Sequence, residues 1–281
     1  IGHGCTDSSN PKEMDESMQS GSEALLALLL AHLLGDFPLQ ASWMVEGKAR
    51  RRLPAFAAHL VIHLVATLAA LLVFTSVPIA RPRTWLVLAL LLSGHALLDL
   101  VKAIFIRNRP AWDGAALFLA DQIAHVVIIL GVGLLLPEVS LEIWDVAASW
   151  HAVRSRLLVE AVVLVAFVFP TGYLIRYLLK PLSRALPSSR DAPEDIPRQG
   201  LANAGLLLGW IERALLIFAF AEASLTAIGL IVGAKSIARF PEFEKRAFAE
   251  YFLIGTLLSV GFAGIGGWIL RAVRATLSGT Y

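Results

Sequence analysis

Four successive apolar segments of this chain each carry two side chains able to hold a metal ion, spaced four residues apart. That pattern constrains the fold more than anything else in the sequence. The pairs are His32 with Asp36, His59 with His63, His95 with Asp99, and Asp121 with His125. Positions i and i+4 of an α-helix project from one face, one turn apart. Each segment therefore presents a two-toothed polar face on a rod otherwise built mainly of Leu, Val, Ile and Ala. A lone His in an apolar helix is usually a satisfied structural residue. Here, however, five of the seven histidines, and every Asp within the four segments, fall into such pairs.

The medium follows from composition. A mean hydropathy of +0.69, with 57% apolar and 16% charged residues, lies outside the range of soluble domains. The sequence predicts an all-α polytopic membrane protein: a four-helix ligand-bearing core plus a C-terminal helical module, with about seven or eight spans. Its divisions are a polar tail over 1–22, a core over 23–179, a linker over 180–200 and a C-terminal module over 201–281. The tail has no apolar stretch of the kind a secretory signal needs. A single cysteine, Cys5, excludes an intramolecular disulfide and a cysteine-based metal site. The formal charge of +2, without a basic surface interleaved with aromatics, argues against nucleic acid. The expected partners are membrane lipids, other membrane subunits or a second copy of the chain.

Expected spans run over 22–39, 54–77, 84–106, 114–136 and 152–179, with Asp113 as N-cap of the fourth and Pro170 kinking the fifth. Residues 201–233 are apolar but short for two spans. They predict a tight hairpin around Glu222–Ser224, with one long tilted helix as the rival. A basic surface segment over 234–246 precedes a last span over 250–270. Lys48, Arg50, Arg51 and Arg52 lie between the first two spans, and Arg107 and Arg109 between the third and fourth. The positive-inside rule then makes loops 40–53, 107–113 and 180–200 cytoplasmic and the N-terminus external. The acidic segment 137–149, with Trp144, belongs outside as an interfacial turn.

This topology tests the ligand pattern independently. Counted from the basic ends, at ~1.5 Å per residue, all four pairs fall within roughly 5–16 Å of the inner face. They share one depth, so they can share one site. Facing lipid, each ionised Asp at mid-helix would cost on the order of 2.5–3.5 kcal/mol. Facing one another around one or two cations, the carboxylates are neutralised and the imidazoles satisfied. Nitrogen and oxygen donors without thiolate suit a divalent metal, zinc first and iron second. The expected ligands are His32, Asp36, His59, His63, His95, Asp99, Asp121 and His125, some of the aspartates serving instead to orient an imidazole. Asp36 and Asp121 are the candidate general bases. The competing reading is a buried, proton-conducting polar network.

Outside the pairs, Lys102 lies one turn after Asp99 and is expected to offset its charge. Glu160 is expected at a helix interface, and adjacent Glu212 and Arg213 point to different faces. Lys235, Arg239, Lys245 and Arg246 are expected at the lipid headgroups. Phe37, Gln40 and Trp43 roof the first ligand pair.

The runs AHLLGDFPLQASWM, HLVIH, HALLDLVK and DQIAH resemble an uncharacterised bacterial membrane family, domain-of-unknown-function 3307. The later blocks GWIERALLIF, AKSIARF and AEYFLIGTLLS look like the C-terminal half of some of its members. The resemblance implies a bacterial inner-membrane location and the helical architecture, and brings no activity with it. HALLD is also similar to the H-x3-D element of YdjM-type membrane metal-dependent hydrolases. Three functions follow as expectations. The first is a metal-dependent membrane hydrolase acting on a lipid or membrane-embedded substrate, with a di-iron oxidoreductase as its variant. The second is a structural or accessory subunit with a metal-stapled core. The third is a cation or proton transporter, against which stands the lack of an inverted repeat.

Overall fold

The computed structural model describes residues 11–136, 148–183, 204–244 and 246–277. Residues 137–147 of the acidic segment, with Trp144, and residues 184–200 of the expected linker lie outside the described residues. The protein is an all-α polytopic membrane protein. Among the described residues, five helices are long and apolar enough to cross a membrane, and the 14-residue helix Leu225–Ala238 is apolar but shorter. The chain divides into two compact units, one of residues 1–108 and 121–158, the other of 109–120 and 159–281.

The first unit is built on α1 (Pro11–Asp36), α2 (Ser42–Ala49), α3 (Leu53–Phe74) and α4 (Pro82–Asn108), with most of α5 (Ala115–Gly133) and the first half of α6 (Ala148–Val168). Helix α1 starts inside the stretch expected as a polar tail, because residues 12–20 contain no helix breaker and backbone hydrogen bonding does not require apolar side chains. It stops at Asp36 because Pro38 supplies no N–H and disfavours helical geometry at Phe37. The last turn is closed by Phe37 N to Leu33 O and Leu39 N to Leu34 O. Pro54 occupies the first turn of α3, where its missing donor costs nothing.

Helix α1 packs on α3, and α2 lies against both α3 and α4. Ala24, Ala27, Leu28 and Ala31 of α1 are buried, as are Leu71 of α3 and Leu88 of α4. The opposite faces, with Val61, Val65, Leu72 and Leu97, are exposed in the isolated chain, as lipid-facing helices require. Glycines set some of the spacing: a Cβ on Gly133 would lie 2.5 Å from Leu25 and one on Gly94 would lie 3.1 Å from Ile128.

The second unit contains the end of α6, α7 (Pro170–Leu178), α8 (Lys180–Ser183), α9 (Ala204–Ala221), α10 (Leu225–Ala238) and α11 (Arg246–Leu277). Pro170 breaks the fifth span between α6 and α7, as its ring and missing donor demand. The expected hairpin is present. Ala223 takes a left-handed conformation (φ 50°), Ser224 N returns to Ala219 O, and Ser224 caps α10 by accepting from Ala227 N. Asp113 is not a helix cap: α5 begins two residues later, and the Asp113 carboxylate instead accepts from Lys180 Nζ at 3.1 Å. The last helix exceeds the expected span at both ends.

Helices α9 and α11 form the tightest pair of this unit around Ile217, Ala263 and Leu270, all fully buried. Their approach depends on Gly267, where a Cβ would fall 2.6 Å from the Ile217 carbonyl oxygen. Backbone cannot yield as a flexible side chain can. Gly267→Ala is therefore expected to cost about 1–3 kcal/mol by overpacking, read as a lowered thermal unfolding midpoint in detergent. Gly261→Ala, whose added methyl would meet nothing within 4 Å, should leave the midpoint unchanged or raised.

Candidate metal centre

Each ligand pair of the first unit ends on the same interior face, because α-helical phase aims both members the same way and the rest of each segment is apolar. His32 and Asp36 come from the last two turns of α1, His59 and His63 from α3, His95 and Asp99 from α4, and Asp121 and His125 from α5. His59 is 1% exposed and His125 2%, and the other six are also largely buried. The structure brings all eight together in three overlapping groups whose donor atoms lie within 4.8 Å of one another. These are His32, Asp36, His63 and His95; His59, His95 and Asp99; and Asp99, Asp121 and His125. Such groups can hold a metal ion.

The tightest part surrounds one carboxylate oxygen. Asp36 Oδ1 is 3.1 Å from His63 Nε2, 3.2 Å from His59 Nε2 and 3.6 Å from His95 Nε2. His59 Nε2 lies 3.0 Å from His95 Nε2 and 3.4 Å from Asp99 Oδ2. Donors of a tetrahedral zinc with bonds of about 2.0–2.1 Å are separated by roughly 3.3–3.4 Å, so these spacings fit a common cation.

The tautomers sharpen this. His125 Nδ1 lies 2.8 Å from the Asp121 carbonyl oxygen, which can only accept. Nδ1 therefore carries the hydrogen, and Nε2 of the neutral ring keeps its lone pair. That Nε2 is buried with no hydrogen-bond partner, as is His32 Nε2. The two rings stack with centroids 4.9 Å apart. Gln40, turned with its carbonyl toward Lys48, accepts from Lys48 Nζ at 2.5 Å and from His59 Nδ1 at 3.3 Å, while its amide donates to the Asp36 carbonyl. His59 Nε2 is then also left with a lone pair, facing two carboxylates and a third imidazole nitrogen. Only a shared cation or added protons can make that arrangement attractive.

Two lysines complete the electrostatics. Lys48 donates to Asp99 Oδ2 and Lys102 to Asp121 Oδ2, each at 2.6 Å. Lys102 does act on the Asp99 charge through space, as expected, but its hydrogen bond crosses to Asp121 of α5, and the ammonium bonded to Asp99 is Lys48 of α2. Lys48 read in sequence only as a topological charge, and Gln40 only as part of a roof. The missed signal was the helix-compatible run Ser42–Ala49, which swings Lys48 over the site. Among the described residues Asp36 receives no ammonium hydrogen bond, and its ion-pair partners are histidines alone. Close by, a Cβ on Gly35 would stand 2.6 Å from the His63 ring, so only glycine admits His63 to the cluster. A cavity of about 40 Å³ adjoins it, lined by His32, His63, His95 and His125 with Leu28 and Leu88 among its apolar walls. That is room for a water or two.

Removing one partner of a buried pair leaves an uncompensated charge. Lys48→Met should therefore destabilise the protein by about 3–5 kcal/mol, and adding Asp99→Asn should recover most of the loss. Thermal unfolding of the single and double variants in detergent measures both; a double variant no better than the single would show that the pair is not coupled.

Residues 24–154 match the model of a family described as "Protein of unknown function (DUF3307)". The match contains all eight donors together with Gln40, Lys48 and Lys102, and ends before the C-terminal blocks read as part of the resemblance. No curated protein and no solved structure matches the chain. The helical core and its His/Asp clusters thus lie inside residues 24–154, the segment of this chain that is similar to the DUF3307 family.

Proposed function

We propose that the chain binds one divalent metal ion, zinc in the first place and iron in the second, and uses it to hydrolyse a lipid or another membrane-embedded substrate. The observation that carries the metal reading is His59 Nε2, set between Asp36 Oδ1, Asp99 Oδ2 and His95 Nε2. Charge supports a single ion. Three carboxylates against two ammonium groups leave one net negative charge beside neutral imidazoles. One divalent ion turns that into a single net positive charge, whereas two would leave three uncompensated positive charges in a buried site.

His59, His63, His95 and Asp36 are assigned as the ligand set. Asp99 and Asp121, each tied to its lysine, shape the surrounding field, and Asp121 holds His125 through its backbone carbonyl. Of the two candidate general bases, Asp36 is preferred, because Lys102 occupies Asp121: Oδ1 of Asp36 faces the imidazole nitrogens of the ligand set, and its other oxygen, Oδ2, is left to take a proton. Asp36 Oδ2 lies 3.7 Å from His32 Nε2, which gives a proton a way from the carboxylate to the cavity. A bound divalent metal would lower the pKa of a coordinated water toward ~7 and polarise an ester or phosphoryl oxygen. The adjoining water-sized cavity supports that chemistry.

A second reading has its own support. The donors are buried and the cavity is too small for a scissile group, as suits a metal that pins four helices together. A transport role has no comparable observation behind it.

Elemental analysis of purified full-length protein is the test. Wild type should carry about one zinc or iron per chain, and the His59→Ala plus His63→Ala variant should carry almost none. Asp36→Asn should lower turnover of a panel of lipid esters and phosphoesters by about 10²-fold or more. Metal retained without any lipid turnover in wild type would leave the pinning role and sink the hydrolase. Absence of stoichiometric metal after metal-supplemented growth would sink both.

A further inference from the structure

The second unit holds a separate polar cavity of about 290 Å³ that the metal reading does not use. Its polar lining includes Arg213, Lys235, Arg239, Thr256 and Ser259, and Leu179 and Phe252 are among its apolar walls. None of the described side chains lining it is acidic. Lys235 already has an anion, since its ammonium donates to Glu212. Among the described residues Arg213 has no such ion pair, although it is only 5% exposed.

Part of the Arg213 guanidinium has a structural task. At the kink before Pro170, Gly172 N bonds Phe169 O, one residue short of the regular α-helical acceptor, which frees the Val168 carbonyl. Arg213 Nε donates to that carbonyl at 2.8 Å. One N–H meets this need. Nη2 is buried without any hydrogen-bond partner, a costly state for a cation unless an anion is meant to share the site. Space for the group is built in. A Cβ on Gly172 would lie 2.5 Å from Nη2, and one on Gly209 would lie 3.3 Å from Nη1, so both small residues make room for the guanidinium at the cavity wall.

We infer that this cavity binds a phosphate-bearing anion, with Arg213 as its buried anchor and Thr256 and Ser259 as hydroxyl partners. Guanidinium with hydroxyl donors suits the several acceptor oxygens of a phosphate. The mixed wall, with aliphatic and aromatic surface next to the cations, suits an amphiphile, so a phospholipid headgroup is the first source and free phosphate the second.

The test uses delipidated full-length protein in a neutral detergent. Binding of phosphatidylglycerol and of phosphatidylcholine with the same acyl chains is measured by native mass spectrometry, and inorganic phosphate is titrated calorimetrically. Wild type should prefer phosphatidylglycerol by about tenfold or more, the scale of one charge-assisted hydrogen-bonded contact. Arg213→Gln should abolish that preference. Because loss of the Val168 bond threatens folding in that variant, Gly205→Phe provides a second probe. Gly205 lines the cavity with nothing within 4 Å of a Cβ, so the ring fills the space while leaving Arg213 in place, and thermal unfolding reports the fold. Phosphate binding in wild type that is lost in Gly205→Phe supports the site with a free anion as its ligand. Equal retention of the two lipids by wild type with no phosphate heat, or a folded Gly205→Phe that binds as wild type does, overturns the proposal.

Discussion

Charge buried in an apolar medium governs the first unit. Three carboxylates and five imidazoles converge from four helices whose outer faces are hydrocarbon, and none could be tolerated singly at that depth. Two aspartates are neutralised by lysines, Lys48 from α2 and Lys102 from α4. The third, Asp36, has no ammonium ion pair among the described residues and is ringed by imidazole nitrogens instead. Local features follow from this requirement. Gly35 is bare so that His63 can enter, Pro38 stops α1 directly after Asp36, and α2 folds back so that Lys48 and Gln40 reach the cluster.

The second unit solves the same problem without histidine. Arg274 bridges Glu160 and Glu222, Lys235 meets Glu212, and Arg213 satisfies a carbonyl freed at a proline kink. Glu160 thus stands at a helix interface, and the divergence of Glu212 and Arg213 is resolved by two different partners. These pairs hold packed helices in register, and the uncompensated part of Arg213 stands out against them for that reason.

Much of this was legible in the sequence because helical periodicity is a rigid rule. The i,i+4 spacing fixed which residues share a face, and a common depth made their convergence a necessity for buried charge. The break at Pro170 and the hairpin at Glu222–Ser224 were readable from backbone chemistry. Helix ends were not: hydropathy marks where bilayer-compatible side chains stop, whereas α1 and α11 continue as long as backbone hydrogen bonds can form. Lysine partners were illegible for a different reason. A lysine reaches several ångströms in any direction, so one turn of spacing from Asp99 did not decide which carboxylate takes the hydrogen bond of Lys102. Likewise the Ser42–Ala49 run was too short and too polar to register as a helix until it packed on α3 and α4. Asp113 shows the same limit at a cap, since Lys180, distant in sequence, claimed its carboxylate.

The arrangement of the two lysines has a consequence for how the proposed ion would be held. An ammonium at 2.6 Å takes up much of a carboxylate's charge, leaving Asp99 and Asp121 weak donors to any further cation. Asp36 has no ammonium ion pair among the described residues and lies near three imidazole nitrogens, so an ion entering the cluster would gain most by settling there. His32 and His125, with unpartnered Nε2 atoms on the wall of the small cavity, stand just beyond that position. They bound the side from which a water can approach, and they can carry its proton away. On the proposed reading, eight polar groups do not imply two metals: Asp99, Asp121, His32 and His125 would serve the field and the proton, the three imidazoles of His59, His63 and His95 would serve the ion, and Asp36 would serve both.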